Sequence, residues 1–289
     1  MRVIERVREL QAFSEGERAA GRRLALVPTM GALHAGHLGL VELARRRAER
    51  VVVSIFVNPT QFDDPADLRS YPRTLESDLA ACRGAGVDVA FCPALEELYP
   101  AGHQTRVEVG ELARPLCGAA RPGHFRGVAS VVAKLLLAAR PQVAVFGEKD
   151  FQQLLVVRRM ARDLCFDVEI LGAPIAREPD GLALSSRNQR LSPEARRQAP
   201  ALARALAAAE RAVSAGERQA AALLHAARSE LEKAPLLRID YAELRDPETL
   251  EPTPERLAGP ALLALAVFFP ARKAGAEVRL IDNRVLRAA

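Results

Sequence analysis

The sequence is poor in several features that mark common classes of protein. It has no tryptophan, and aromatic residues make up only 4% of its 289 residues. No apolar run approaches the ~18 residues needed to cross a bilayer, and the charged start MRVIERVREL lacks the apolar stretch of a secretory signal. We therefore expect a cytoplasmic protein with no membrane partner.

The cysteines are few and scattered. They form no Cys-x-x-Cys pair, so neither a zinc knuckle nor a disulfide framework is expected. We expect reduced and mostly buried thiols at all four positions: Cys82, Cys92, Cys117 and Cys165.

Basic residues are in modest excess, and almost all of them are arginine. The formal net charge is +5, and only four of the 41 basic residues are lysines, so a lysine inside a motif is informative. The arginines are spread along the chain, and few aromatic rings are present to stack on bases. An RNA-binding module is therefore a weaker alternative, no nucleic-acid partner is expected, and a small polyanionic ligand suits the same charge.

Valine-rich runs alternate with helical spacing through the first part of the chain. The alternation predicts an α/β fold over residues 1–180, a Rossmann-like parallel sheet with helices on both faces and ligands at the carboxyl ends of the strands. The predicted strands are 24–27, 51–57, 87–91, 143–146 and 168–171. The predicted helices are 37–50, 74–84, 128–139 and 150–164.

The remainder of the chain, residues 181–289, has a different pattern. Alanine-rich helical stretches come first and β-like runs follow, which predicts a smaller α+β C-terminal domain. The helical stretches are 193–213 and 218–233, and the β-like runs are 239–244, 261–269 and 278–281.

The segment PTMGALHAGH, residues 28–37, lies between the first predicted strand and the first long predicted helix. Gly31 and Gly36 allow the backbone close to a ligand, and the amides at the start of the helix favour an anion. The glycine spacing matches neither a dinucleotide fingerprint nor a Walker loop. His34 and His37 can both donate to phosphate oxygens from this position. A metal pair and a structural cap are the alternatives, and no third ligand with metal-site spacing is evident.

Polar side chains also follow the next strand. Asn58 and Gln61 in SIFVNPTQF are expected at the carboxyl edge of the sheet, where an amide can hold a hydroxyl or a carboxylate. Asn-Pro is equally a common turn signal. The segment RPGHFRG contributes Arg121 and His124, which can contact a substrate or order a loop.

Two anion sites are predicted further along the chain. In FGEKDFQQL, Lys149 is a compact ammonium suited to a phosphate, and Asp150 is placed to cap the following helix. In DGLALSSRN, the Ser-Ser-Arg run at 185–187 offers two hydroxyls and a planar cation for a triphosphate or a departing pyrophosphate. A polar hinge between domains is the alternative for this run.

These motifs resemble a known family. HAGH resembles the His-x-Gly-His signature of the adenylyl-transferring superfamily that includes class I aminoacyl-tRNA synthetases, and PTMGALHAGH is similar to the pantothenate synthetase family. Further segments match that family in order: SIFVNPTQF, YPRTLESD, RPGHFRGVASVVAKL with FGEKDFQQL, and DGLALSSRN. Some members carry an acidic residue where this chain has Cys117, so a contact made by that carboxylate cannot be carried over.

The resemblance implies an ATP-dependent ligase. Pantoate would attack the α-phosphorus of ATP, with Mg²⁺ shared by the phosphates, and β-alanine would displace AMP from the resulting pantoyl adenylate. An acid that is already ionised needs no general base, which agrees with the absence of an obvious carboxylate pair or Ser-His-Asp set. The resemblance also implies a homodimer formed through the first domain and a lid role for residues 181–289.

The matched motifs carry the family's residue roles onto this chain, with no metal site of the protein's own. ATP contacts are implied for Met30, Gly31, His34, His37, Gly147, Lys149, Asp150, Ala176, Leu184, Ser185, Ser186 and Arg187, of which His37, His34, Lys149 and Arg187 are catalytic. Contacts with the small substrates are implied for Asn58, Gln61, Arg121 and Gln153, with Gln61 on pantoate near β-alanine and Gln153 on pantoate. Gln152 is expected to face elsewhere.

A different nucleotidyltransferase is the alternative enzyme. An enzyme that adenylates a phosphorylated pantetheine or a nicotinamide compound would share HAGH. It would not share the glutamines of NPTQF and EKDFQQ, which suit a small hydroxylated acid.

Overall fold

The computed structural model of the protein describes residues 1–63 and 65–287, without the side chains of residues 65, 66 and 70. The chain divides into two compact units. The first consists of Met1–Glu148 with Gln152–Pro174, and the second of Lys149–Phe151 with the chain from Ile175 onward. Each unit has its own sheet.

The described residues of the first unit contain a six-stranded sheet in which every neighbouring pair is parallel. Its strands are β1 Arg2–Ile4, β2 Leu24–Thr29, β3 Arg50–Ile55, β4 Val89–Phe91, β5 Val143–Gly147 and β6 Glu169–Ala173. Their order across the sheet is β1-β4-β3-β2-β5-β6. The five predicted strands and their parallel arrangement are confirmed, and the short edge strand β1 was not predicted.

The helices that precede residue 175 include each of the four predicted ones. They are α1 Val7–Ala19, α2 Ala35–Arg45, α3 Pro65–Ser70, α4 Leu75–Gly84, α5 Leu95–Leu98, α6 Cys117–Ala120, α7 His124–Ala139 and α8 Phe151–Asp163. The predicted bounds of α2, residues 37–50, were wrong at both ends. The helix starts earlier because His34 caps it, and it ends earlier because the chain must turn before β3 begins at Arg50.

Side chains at alternate positions of the strands fill two separate cores, one on each face of the sheet. In β2, Leu24 and Leu26 pack with buried residues of α1, α7 and α8. Ala25 and Val27 pack on the opposite face with Val41 of α2. Successive side chains of a strand alternate between faces, so a central strand covered on both sides is apolar throughout. Helices therefore cover both faces of the sheet, as predicted.

The strand order reverses between β2 and β5. From β2 the chain moves outward through β3 and β4 and then returns to place β5 on the other side of β2. Open α/β sheets bind ligands beyond the carboxyl ends of the strands at such a point. Strand β2 ends at Thr29 and β5 ends at Gly147. The histidine segment therefore starts where this fold binds ligands.

The second unit contains a three-stranded antiparallel sheet of order β7-β8-β9 in its described residues. Its elements are α9 Pro193–Gln198, α10 Ala201–Ser214, α11 Ala220–Glu232, β7 Arg238–Arg245, β8 Ala261–Pro270 and β9 Glu277–Leu286. The α+β character is confirmed. The single helix predicted over 193–213 was wrong, because Pro200 has no backbone N–H to continue the helical ladder and the stretch becomes two helices.

No disulfide joins the four cysteines, and the expectation that most of them are buried was wrong. Cys82 is buried, Cys92 and Cys117 are partly exposed, and Cys165 is exposed. Desolvation raises the pKa of Cys82 and of Cys92 to about 11. Both thiols therefore stay protonated at neutral pH, where only a thiolate would be a nucleophile.

None of the helices in the described part of the chain combines the length and the apolarity needed to cross a membrane.

Candidate active site

The loop between β2 and α2 contains two consecutive residues in the left-handed conformation. Gly31 has a φ of 80° and Ala32 a φ of 50°. Glycine adopts this conformation without steric cost, whereas a residue with a β-carbon seldom does. A β-carbon on Gly31 would lie 2.9 Å from Oδ2 of Asp78 and 3.2 Å from Cγ2 of Ile55, so only glycine fits. The loop can therefore turn sharply from β2 into α2.

His34 and His37 form a reciprocal cap at the start of α2. His34 is the N-cap residue, and its Nδ1 accepts the backbone N–H of Gly36 at 3.1 Å. The backbone N–H of His34 in turn donates to Nδ1 of His37 at 3.3 Å. The two ring centroids lie 4.1 Å apart. The alternative of a structural cap is therefore realised, with histidines in the positions that Ser or Thr and Glu or Gln usually occupy.

This cap determines which ring nitrogen carries the proton. A neutral imidazole has one donor and one acceptor nitrogen, and Nδ1 is the acceptor in both rings. The hydrogen-bond network therefore assigns the proton of each neutral ring to Nε2. Two N–H donors thus lie at a helix N-terminus, whose amides and positive dipole end also favour an anion.

Asn58 and Gln61 lie in one buried turn, the 3-10 turn Pro59–Gln61 that follows β3. Asn58 caps the turn, and its Nδ2 donates to Oε1 of Gln61 at 3.1 Å and to the carbonyl oxygen of Gly127 at 3.1 Å. Nε2 of Gln61 lies 3.1 Å from Sδ of Met30. Asn58 therefore both forms the predicted turn and orients the amide of Gln61, which contacts the histidine-bearing loop through Met30.

Helix α7 approaches this turn backbone to backbone at Gly127. A β-carbon on Gly127 would overlap the carbonyl oxygen of Thr60 and would lie 2.7 Å from Cα of Gln61. Only glycine permits so close an approach. The position of the turn is therefore set by the position of the helix.

Arg121 and His124 hold the backbone of the same turn. Nη2 of Arg121 donates to the carbonyl oxygen of Gln61 at 3.2 Å, and its Nε pairs with Asp63 at 2.9 Å. Nδ1 of His124 lies 2.7 Å from the same carbonyl oxygen, and because a carbonyl only accepts, Nδ1 carries a proton here. The loop-ordering alternative thus describes what both side chains do in this structure.

Gln152 and Gln153 are neighbours on α8 with different surroundings. Gln152 is 6% exposed, accepts the backbone N–H of Cys117 at 3.0 Å, and donates to the carbonyl oxygens of Leu112 and Pro115 at 2.9 and 2.7 Å. It fastens the segment that leads into α6, which suits a residue that is not a ligand. Gln153 points about 100° away around the helix and is only partly buried.

Lys149 and Asp150, two residues of the second unit, lie in the 3-10 turn Glu148–Asp150, which runs directly into α8. The expected N-cap role of Asp150 was wrong, because the turn and the helix are continuous and Asp150 lies inside a helical segment. Nζ of Lys149 is 3.9 Å from Oδ1 of Asp150. The carbonyl oxygen of Lys149 accepts Nδ2 of Asn283 at 2.9 Å, which ties this turn to β9.

The other predicted residues of the second unit share one folded loop. The backbone N–H of Leu184 donates to the carbonyl oxygen of Ala176 at 2.9 Å. Oγ of Ser185 accepts the backbone N–H of Arg187 at 3.2 Å and caps the 3-10 turn Ser186–Arg190. The run at 185–187 is therefore the start of a 3-10 turn, with Ser185 as its N-cap residue.

Polar residues that sequence reasoning missed hold this loop. Asn188 is buried and donates to Glu178 at 2.8 Å, and Arg196 of α9 pairs with Glu178 at 2.5 Å and with Asp180 at 2.6 Å. Asp180 and Asn188 are the first and last residues of DGLALSSRN, so this motif was the sequence signal that could have identified them. Burial raises the pKa of Asp180, but hydrogen bonds from Arg196 and from the Leu182 N–H outweigh it, so the pKa lies below its ordinary value.

One further residue outside the predicted set comes from the segment YPRTLESD. Asp78 of α4 is buried, and its carboxylate accepts the backbone N–H groups of Ala32 and Leu33 in the histidine loop. An acidic residue in the first turn of a helix is usually ascribed to the helix dipole, so the sequence offered no specific signal for this contact.

As for metals, among residues 1–63 and 65–287 no group of three or more His, Cys, Asp or Glu side chains is arranged to hold an ion.

The fold and the site define a class of protein. A six-stranded parallel sheet whose central strand leads through a glycine turn into a helix N-terminus is characteristic of α/β proteins that bind ligands at the carboxyl edge of the sheet. The sequence profile of the family named Pantoate-beta-alanine ligase matches residues 2–285. The chain therefore belongs to the pantoate-beta-alanine ligase family, as its motifs predicted.

Full-length relatives support this assignment. The chain is 53% identical to the pantothenate synthetase of Syntrophobacter fumaroxidans over 289 residues, which covers 100% of both chains. It is 53% identical to that of Geobacter sulfurreducens, covering 99% of each.

Solved structures agree in fold. Pantothenate synthetase from Thermus thermophilus superposes with a TM-score of 0.91 at 50% identity, over 99% of this chain and 100% of that one. Pantoate-beta-alanine ligase from Francisella tularensis, solved complexed with beta-gamma ATP and beta-alanine, gives 0.79 at 32% identity, over 99% and 97%.

Proposed function

We propose that the chain is an ATP-dependent ligase that joins pantoate to β-alanine through a pantoyl adenylate and releases pyrophosphate and then AMP. The observation that carries the proposal is the reciprocal histidine cap, which directs two Nε2–H donors from the start of α2. Family membership supports the choice of acid and amine, and the Francisella tularensis relative was solved with beta-gamma ATP and beta-alanine.

In the first half-reaction the carboxylate of pantoate attacks the α-phosphorus of ATP. The carboxylate is already ionised at neutral pH, so the step requires positioning and charge neutralisation rather than a general base. Negative charge grows on the phosphate oxygens as pyrophosphate departs, and the His34 and His37 N–H groups and the α2 amides are donors suited to it. Each such donor contributes roughly 10²–10³ in rate in enzymes where one has been removed.

In the same proposal, the first unit supplies the acid site. Gln61 and Gln153 bind the hydroxyl and carboxylate groups of pantoate, and Gln61 also lies near β-alanine. Asn58 holds the amide of Gln61 in one orientation, through the 3.1 Å hydrogen bond between them. Arg121 is assigned to the substrates too, and its hydrogen bond to the Gln61 carbonyl supports an indirect part in that role.

The remaining ATP contacts are those that the family resemblance implies. Lys149 and Arg187 neutralise phosphate charge, and the hydroxyls of Ser185 and Ser186 accompany them at the triphosphate. The nucleotide contacts are completed by Met30, Gly31, Gly147, Asp150, Ala176 and Leu184. We further propose that Mg²⁺ enters with ATP as part of the substrate, that the protein acts in the cytoplasm, and that it forms a homodimer.

The second half-reaction completes the ligation. The free amine of β-alanine attacks the acyl carbon of the adenylate, the C–N bond forms, the acyl–phosphate bond breaks, and AMP leaves with the electron pair. The amine loses its proton in this step, and pantothenate is released.

Pyrophosphate exchange tests the proposal. Given pantoate, Mg²⁺ and ATP without an amine, the protein should exchange labelled pyrophosphate into ATP, because the first half-reaction is complete and reversible. Addition of β-alanine should then release AMP. Exchange that requires phosphopantetheine, nicotinamide mononucleotide or an amino acid, with pantoate inactive, would contradict the proposal and favour another nucleotidyltransferase.

A further inference from the structure

Asp78 is a buried carboxylate whose hydrogen bonds reach out of its own helix. Its side chain is 2% exposed, Oδ2 accepts the backbone N–H of Ala32 at 3.0 Å, and Oδ1 accepts that of Leu33 at 2.8 Å. These residues immediately precede His34. The carboxylate therefore contacts the backbone of the histidine loop through both oxygens, as a fork.

Thr74 shows that α4 is arranged around this contact. Thr74 is the N-cap residue of α4, yet its hydroxyl makes no cap hydrogen bond and instead donates to Oδ2 of Asp78 at 3.2 Å. The N-terminal turn of α4 also favours a negative charge at Asp78 through the helix dipole. The side chain most suited to capping the helix thus supports the carboxylate.

The loop needs an external support. Ala32 has a φ of 50°, a conformation that is strained for a non-glycine residue and persists only when the surroundings impose it. The carboxylate accepts the N–H of Ala32 itself and of the next residue. A β-carbon on Gly31 would lie 2.9 Å from Oδ2 of Asp78, so the backbone of the loop also passes close to the carboxylate at this residue.

We propose that Asp78 is a positioning residue for the histidine cap: it holds the left-handed loop so that His34 and His37 present their Nε2–H groups in the catalytic orientation. The inference rests on the proposed function for its catalytic consequence, although the orientation of the rings does not depend on any reaction. Asp78 itself touches no reacting atom in this account.

The test compares Asp78→Asn with Asp88→Asn. Asparagine keeps one acceptor oxygen but directs an NH₂ group at a backbone N–H, so one prong of the fork is lost. Asp88 is the matched control, because it also accepts a backbone N–H, from Val51 at 2.9 Å, but lies away from the loop. Two quantities are measured: the ¹⁵N signals of the His34 and His37 rings, which report the tautomer, and the rate of pantoate-dependent pyrophosphate exchange.

We expect Asp78→Asn to shift both pairs of ring signals and to lower the maximal exchange rate by roughly 10–100-fold, the size of effect that follows a small displacement of catalytic groups. The KM for pantoate should change little, because the backbone hydrogen bonds of Asp78 go to Ala32 and Leu33 and not to the glutamines assigned to the acid. Asp88→Asn should leave ring signals and rate at wild-type values.

Unchanged ring signals in a folded Asp78→Asn protein would overturn the proposal, whether or not the rate falls. If that variant does not fold, Thr74→Val decides instead: shifted ring signals support the positioning role, and wild-type signals overturn it. A wild-type protein without pantoate-dependent exchange would refute the proposed function, while the ring signals would still decide the role of Asp78.

Discussion

The two imidazoles at the start of α2 use one ring nitrogen each for the helix cap and the other for the donor role proposed above. Nδ1 of each ring accepts a backbone N–H, so these nitrogens contribute to the helix, and Nε2 is left to carry the donor proton. Substitutions can separate the two contributions, because some side chains replace one nitrogen and not the other.

His34→Asn and His34→Ala should separate them. Asparagine is a good N-cap and can accept the Gly36 N–H, whereas alanine cannot, so only the alanine variant should lose stability, by about 1 kcal/mol. Both variants lack the Nε2–H donor, so both should lower the adenylation rate by roughly one to three orders of magnitude. Urea unfolding and single-turnover adenylation measure the two effects.

A near-normal rate in the asparagine variant would remove His34 from the chemistry and leave it as a cap alone. The companion variant His37→Ala should show the same loss of rate, since its ring has the same tautomer. Normal single-turnover adenylation in His37→Ala would contradict its assignment.

Residue identity was predictable from the sequence further than residue geometry was. The His-x-Gly-His spacing predicted that both histidines lie at a helix start, and they do; the phosphate site itself stays a prediction. The proton position was not predictable, because it depends on the hydrogen bonds that the folded loop makes. The φ of 50° at Ala32 was equally invisible, since alanine shows no preference for that conformation.

At the scale of the element, α8 carries two glutamines with opposite environments. The three hydrogen bonds of Gln152 go to the backbone of the segment before α6, whereas Gln153 is on a different face of the helix. Because the two positions carry the same residue type, a substitution of Gln152 is a control for the same substitution of Gln153.

Gln153→Ala should raise the KM for pantoate far more than that for ATP, because its amide is assigned to the acid. Gln152→Ala should instead lower the free energy of unfolding by about 1–3 kcal/mol, since buried backbone groups lose their partners, and should leave the ratio of the two KM values near wild type. Steady-state kinetics and urea unfolding of both variants check this. Equal rises in both KM values for Gln153→Ala would refute its assignment.

Elements with long apolar runs were predicted well, and those set by single residues were not. The apolar strands β2 to β5 were found because strands buried on both faces leave few polar positions. Strand β1 has only three residues and lies at the sheet edge with an exposed start, so its pattern is too short to read. The break at Pro200 was passed over because the alanine-rich spacing continues through it.

At the scale of the whole molecule, the first unit has a hydrophobic core on each face of its sheet and the second unit has a core of its own. In the second unit Arg196 lowers the pKa of Asp180 against the opposing effect of burial. A carboxyl whose pKa is lowered by folding contributes stability above its unfolded pKa, which is about 3.9 for aspartate, and loses it as the pH falls through the folded value.

Arg196→Gln should therefore lower stability at neutral pH and make the remaining stability less sensitive to acid. Arg197→Gln is the control on the next residue of α9, because the pair of Arg197 with Glu194 is exposed and should contribute at most about 1 kcal/mol. Urea unfolding at neutral pH and near pH 3 measures both. If Arg196→Gln keeps the full acid sensitivity of the wild type, the ion pair is not its source.

The contact at Gly127 limits how the specificity for the acid substrate can be changed, if Gln61 binds the acid as proposed. At Gly127 the 16-residue α7 has no side chain between its backbone and the turn that carries Gln61, so no side chain can be shortened there to make room for a bulkier molecule. Shortening the side chains around Gln61 would not move the backbone of the turn. A redesign therefore has to change the position of α7 on the sheet first, because the turn and Gln61 move with the helix.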